Sequence, residues 1–214
     1  AEFVKCRFAE NTADRFGGGF YSYDPTRDPN DPMIEIDFDA CSFLSNTAIH
    51  GGGLWLREVK ANLKNTYLFT NTAETAGAIL LADGDITMDG GIVRGNQSTA
   101  DETHGGAILF ASATGTLRNL VFEDNAATGE NSYGGAVSFY GSDARDIQRI
   151  ENCLLTGNSA TAGGGAIACR IFTEAQIRNC TFVDNDGGQF GGAVFCDWSS
   201  YPKITDSIFS GNIP

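Results

Sequence analysis

The sequence predicts an all-β fold, a single-stranded parallel β-helix of about seven coils that takes residues 1–214 as one solenoid domain. Three observations predict it. An asparagine recurs eight times with a minimum spacing of 25 residues, apolar columns stand at fixed offsets before it, and Gly-Gly corners open short apolar strands after it. A period with a floor and a variable excess is the signature of stacked coils that differ by loop insertions.

The anchors are Asn11, Asn46, Asn71, Asn96, Asn125, Asn158, Asn185 and Asn212, separated by 35, 25, 25, 29, 33, 27 and 27 residues. Eight residues before them stand Phe3, Phe38, Leu63, Met88, Leu117, Ile150, Ile177 and Ile204; three before stand Phe8, Phe43, Leu68, Val93, Phe122, Leu155, Phe182 and Phe209. Position -5 carries Cys6, Cys41, Thr66, Gly91, Leu120, Cys153, Cys180 and Ser207. Offsets -5 and -3 differ by two, the inward period of a strand. The segments "GGAIAC" and "GGAVFC" read as a further strand after a glycine corner, and no stretch holds a 3.6-residue period.

Each column has a physical reason. An asparagine at a corner tolerates left-handed backbone angles, and its amide can bond the Asn of the next coil, satisfying polar groups along a ladder. Glycine pairs allow positive φ without a Cβ clash. The cysteines fall into register pairs, Cys6 with Cys41, Cys153 with Cys180 and Cys169 with Cys196, in no CxxC pattern, and are expected to stack as small buried thiols rather than disulfides. Seven coils at the inter-strand spacing make a rod about 34 Å long.

Composition limits the function classes. Hydrophobic residues at 42% support a packed core despite 27 glycines. A net charge of -13 opposes nucleic-acid binding, which depends on Lys and Arg displacing counterions. No apolar run reaches the roughly 20 residues of a membrane-spanning helix, so insertion into a membrane by this segment is not expected.

The tetrapeptides "FAEN", "FLSN", "FEDN", "FVDN" and "FSGN", alternating with "GGAI" at Gly105 and Gly164 and "GGAV" at Gly134 and Gly191, resemble the FxxN and GGA[ILV] repeats of polymorphic outer-membrane proteins. The fuller "NCTFVDN" pattern is also similar to large secreted bacterial β-helix repeat proteins. The resemblance implies a right-handed helix, display at the cell surface or secretion, and an adhesive passenger role, over almost the whole chain.

Catalytic chemistry has few candidates. Pectin-degrading β-helices need clustered acids for Ca²⁺ with a basic proton acceptor, or paired carboxylates. The densest acidic stretch, Asp83, Asp85 and Asp89, misses the spacing of a calcium loop and reads as a solvated turn, so no cofactor is expected beyond loosely held Ca²⁺. His50 and His104 precede glycine corners two coils apart and read as exposed corner residues. The sequons at Asn96 and Asn179 read as coincidental.

Binding residues concentrate in loops. The insertion Phe20–Glu35 carries three Asp-Pro pairs, "QSTADETH" and "TGENSY" enlarge a later corner, and "YGSDARD" follows Tyr140. Tyr21, Tyr23, Tyr133, Tyr140, Trp198 and Tyr201 form the candidate binding surface for surface glycans or proteins. Neither end shows a polar cap. The expected partners are therefore further coils of a longer chain or copies stacked end to end. The leading expectation is a non-catalytic structural or adhesive module, extracellular or on the cell surface. The alternatives are a carbohydrate-active β-helix and a self-assembling filament subunit.

Overall fold

A computed structural model describes residues 1–28, 30–141 and 147–214. Every strand pairing it records is parallel and joins equivalent segments of adjacent coils. Three sheets run along the solenoid among the described residues.

The long face is built by strands such as Ile34–Asp39, Val59–Phe69, Asp85–Arg94 and Thr114–Glu123. The corner face holds Thr47–His50, Thr72–Thr75, Gln97–Ser98, Ala126–Ala127 and Ser159–Ala160. The glycine face holds Phe20–Ser22, Leu54–Arg57, Ile79–Ala82, Ile108–Ala111, Val137–Tyr140, Ile167–Arg170 and Val194–Asp197.

The columns foreseen at -8 and -3 are literal. Phe3, Phe38, Leu63, Met88, Leu117, Ile150, Ile177 and Ile204 are partners in one continuous register. Phe8 stacks on Phe43 at 4.6 Å with rings 3° apart, and Phe182 on Phe209 at 4.6 Å and 2°. Away from the end coils these side chains are fully buried, each contributing about 1.5–3 kcal/mol by leaving water.

The asparagines form a polar ladder beside this core. Asn46 donates its backbone N–H (3.0 Å) and its amide (2.9 Å) to Oδ1 of Asn71, and bonds the Phe8 carbonyl at 2.9 Å with the other amide hydrogen. The same pattern repeats through Asn71, Asn96, Asn125, Asn158 and Asn185 to Asn212. Asn11 opens it by donating to Asn46 at 2.8 Å. Each interior amide is satisfied on both sides, as a fully buried polar group must be.

One expectation about this corner is corrected. The anchors are not the left-handed residues. That conformation falls one residue earlier, at Glu10, Ser45, Thr70, Gly95, Asp124, Gly157, Asp184 and Gly211, and again at -6, from Lys5 and Ala40 to Asn179 and Asp206. The reason lies in the hydrogen bonds: the anchor's backbone N–H must point along the rod to reach the next Oδ1, and the preceding residue makes the turn.

All six cysteines are free thiols. Cys169 and Cys196 are register partners that continue the inward column of Phe110 and Phe139. Cys41, Cys153 and Cys180 bond strand carbonyls at 3.2–3.3 Å. The hydrogen bond to its neighbour Cys196, with burial, pushes the Cys169 thiol up, so it keeps its proton.

Candidate functional site

The inside is filled by the columns above, and a cleft opens outside, on the glycine face. Its strands end as inward, outward, inward, outward. Thus Leu54 and Leu56 join the main core, while Trp55 with Leu80 and Leu109 forms a second apolar cluster on the outer surface. The outward column runs Tyr21, Trp55, Leu80, Leu109, Ser138, Ala168, Phe195.

Two further columns flank it. Just before the glycine corner stand His104, Tyr133, Gly163 and Phe190, joined by parallel bridges. At the strand end stand Ala111, Tyr140, Arg170 and Asp197. Between these columns opens a cleft of about 530 Å³, whose walls include His104, Tyr133, Tyr140, Arg170 and Trp198. Glu102 and Asn131, from the enlarged corner segments "QSTADETH" and "TGENSY", complete one wall.

The cleft is stiff. His104 stacks against Tyr140 at 4.4 Å and Tyr133 at 5.8 Å, and Tyr133 stacks on Phe195 at 5.2 Å. Gly163 allows this: a Cβ there would stand 2.8 Å from the Phe195 ring. Arg170 lies over Tyr133 at 3.8 Å and holds Asp197 by two bonds, Nε to Oδ2 at 2.9 Å and Nη2 to Oδ2 at 2.8 Å. A cation fixed over a ring and paired with a carboxylate is pre-organised. Burial, reinforced by the Arg170 charge, lowers the His104 pKa from 6.5 to about 4, so the imidazole is neutral at physiological pH. The expectation of an exposed corner histidine is therefore corrected for His104; His50 is also half-buried, stacked on Phe16 at 5.5 Å.

Of the six aromatic candidates, Tyr133, Tyr140 and Trp198 meet in the cleft. Tyr21 and Tyr23, within the Phe20–Glu35 segment, instead pack on Trp55, at 5.0 and 6.2 Å. Tyr201 is 73% exposed and lies outside the cleft. The insertion "YGSDARD" falls largely outside the described residues. Arg170 and Glu102 are not among the sequence candidates, and His104 reads there only as an exposed corner residue, although it occupies the same pre-corner offset as Tyr133.

The acidic candidates do not converge. Asp83 pairs with Arg57 at 3.4 Å, and Asp89 with Arg118 at 2.9 Å and Asn119 at 2.7 Å. Asp85 aligns with Lys60. The amide of Asn96 is buried in the ladder, out of reach of glycosylation.

The Chlamydia polymorphic membrane protein repeat matches residues 152–170. That stretch runs from the left-handed Asn152 through Cys153 and the Asn158 anchor to the Gly164 corner and Arg170, the larger part of one coil in the register described above. No curated protein and no solved structure matches the chain. The repeat and the laddered solenoid together describe a β-helix repeat protein similar to the polymorphic outer-membrane proteins.

Proposed function

We propose that the chain is a non-catalytic, surface-displayed β-helix module that acts as a rigid rod carrying an adhesive face. The observation that carries the reading is that the matched repeat, residues 152–170, lies within a single structural coil, in register with its anchor and glycine corner, in a solenoid whose interior is filled by side chains. What varies between coils lies outside, in the Phe20–Glu35 cover and in the segments that wall the cleft. The test is protease treatment of intact cells that express the parent protein. Loss of the β-helix epitope without lysis supports display, and full protection of the epitope overturns it.

The rod also offers edges. Strands Glu2–Val4 and Lys203–Thr205 each pair on one side, and the coil at Lys203–Pro214 leaves Phe209 47% exposed. A further coil of the same polypeptide, or a second copy, would continue the Asn and Phe columns there. Sedimentation velocity over a hundredfold concentration range tests the second: growth into rods supports self-stacking, and a constant monomer overturns it.

A further inference from the structure

We propose that the cleft between His104 and Trp198 binds a neutral, pyranose-containing glycan, with Tyr133, Tyr140 and Trp198 as the stacking surface and Arg170 and Glu102 as the polar groups that orient it. The inference rests on reading the chain as an outward-facing adhesive module.

A pyranose ring presents C–H groups on its faces and hydroxyls around its rim. A site for it needs an aromatic plane beside fixed polar groups, and the cleft supplies both. Its volume of about 530 Å³ lies in the range of small-ligand sites. A protein partner of ordinary size needs a broad surface of about 800 Å² instead.

Charge chooses among sugars. Arg170 is already bound to Asp197, Glu102 adds a negative charge, and the whole chain carries -13. An acidic sugar would have to compete with Asp197 for the guanidinium against this field. A neutral one loses nothing, and it can use donors of Arg170 beyond those that hold Asp197.

The backbone supplies an independent observation. From the Leu54–Arg57 strand onward, the position after each glycine-face strand is left-handed, as Glu58, Asp83, Ser112 and Gly141 show. In the next two coils it is occupied by Ile171, with φ 60°, and Trp198, with φ 49°, both on the cleft wall and each followed by a second left-handed residue, Phe172 and Ser199. Left-handed geometry costs an L-residue roughly 1–2 kcal/mol, and β-branched or bulky side chains are the worst suited to it. Sites that accept such strain cluster at ligand-binding positions. Here the strained positions are the ones that put Ile171 and a 69% exposed Trp198 on the cleft wall.

The chain has two tryptophans, and Trp55 is only 8% exposed, so Trp55→Phe leaves Trp198 as the reporter. The experiment titrates that variant with linear oligosaccharides of glucose, galactose, mannose and N-acetylglucosamine, and with oligogalacturonate of equal length, following emission; calorimetry repeats it on the unaltered chain. A neutral series should shift Trp198 emission, and Trp198→Ala and Tyr140→Ala should each weaken binding about tenfold at unchanged melting temperature. No response to any neutral series up to about 10 mM, an affinity unmoved by Trp198→Ala, or binding of oligogalacturonate alone would each overturn the proposal. Because the purified protein is used, these failures leave the cell-surface reading to its own protease test.

Discussion

Two aromatic clusters on the same outer face, built from equivalent columns, end in opposite states. Near the first coils, Phe16, Tyr21 and Tyr23 close around Trp55. In the later coils, Tyr133, Tyr140 and Trp198 stand around a cleft. Two differences account for this. The outward column carries the large Trp55 in one region and the small Ser138 and Ala168 in the other, so the first site fills itself while the second lets its flanking rings lie low. The Phe20–Glu35 segment also covers the first site, folded by turns in which Asp24 and Asp28 accept from Thr26 and Asn30. A solenoid corner insertion can thus serve as a lid or as a wall, and the side-chain size beneath it decides which.

The strongest way to break the comparison is to truncate the closed cluster. Trp55→Ala should lose about 3–5 kcal/mol, the range for deleting a buried aromatic side chain. Urea unfolding measures it, and a loss below 1 kcal/mol would mean that the first cluster is no better packed than the second.

Acid should act on the open cluster. The folded pKa of His104 lies below its unfolded value, so the unfolded chain binds more protons between about pH 6.5 and pH 4. The stability contributed by the neutral imidazole is therefore complete above pH 6.5 and falls as pH drops toward 4, by at most about 3 kcal/mol. Carboxylates add their own acid sensitivity. The measurement is accordingly the difference in slope between the unaltered chain and His104→Gln across pH 7 to 4.5, with the variant expected to be flatter.

Gly163→Ala tests how the later column is kept continuous. Its added methyl would meet the Phe195 ring at 2.8 Å, and the ring must move off Tyr133. Overpacking of this kind costs about 1–3 kcal/mol. Loss of stability with an altered cleft would confirm that this glycine is there for packing, since it has no positive φ to demand it.

Most of the fold was legible because its causes are periodic. The -8 and -3 columns and the Asn ladder follow from offsets that a single sequence displays eight times, and the free thiols in register from offsets shared by adjacent coils. The left-handed positions were half hidden, because at -1 and -6 Gly and Asn in some coils, such as Gly95, Gly157, Asn152 and Asn179, alternate with Glu10, Ser45, Thr70, Lys5 and Ala40, which do not advertise a turn. The cleft was half visible. Tyr133, Tyr140 and Trp198 are aromatic and lie near loops, but His104 and Arg170 join them only through neighbouring coils, and nothing local separates Tyr23, which is covered, from Tyr140, which is not. Burial on the outer face depends on what folds over it, and offsets along one coil do not encode that.

The cover should be separable from the cluster beneath it. Arg27, 11% exposed, bonds the Asp31 carbonyl at 2.6 Å and Glu58 at 3.4 Å, tying the segment to the glycine face. Arg27→Ala should cost about 1–3 kcal/mol, because Glu58 and the carbonyl lose a charged partner. It should also shift Trp55 emission to the red as water enters. An unshifted emission would show that the apolar contacts of Tyr23 hold the segment without Arg27.

The smallest effect should have the opposite sign. Trp198 is strained in its backbone and exposed in its side chain, so Trp198→Gly removes a left-handed penalty of roughly 1–2 kcal/mol, against a glycine entropy cost of roughly 0.5–1 kcal/mol. The net expectation is a gain of about 0.5 kcal/mol, read as a higher urea midpoint at unchanged m-value. The cleft would lose one wall while the fold became more stable, which is the behaviour of a residue retained for what it touches outside the chain. A loss of more than 1 kcal/mol would instead place Trp198 among the packing residues, and the later cluster would then be a second closed one.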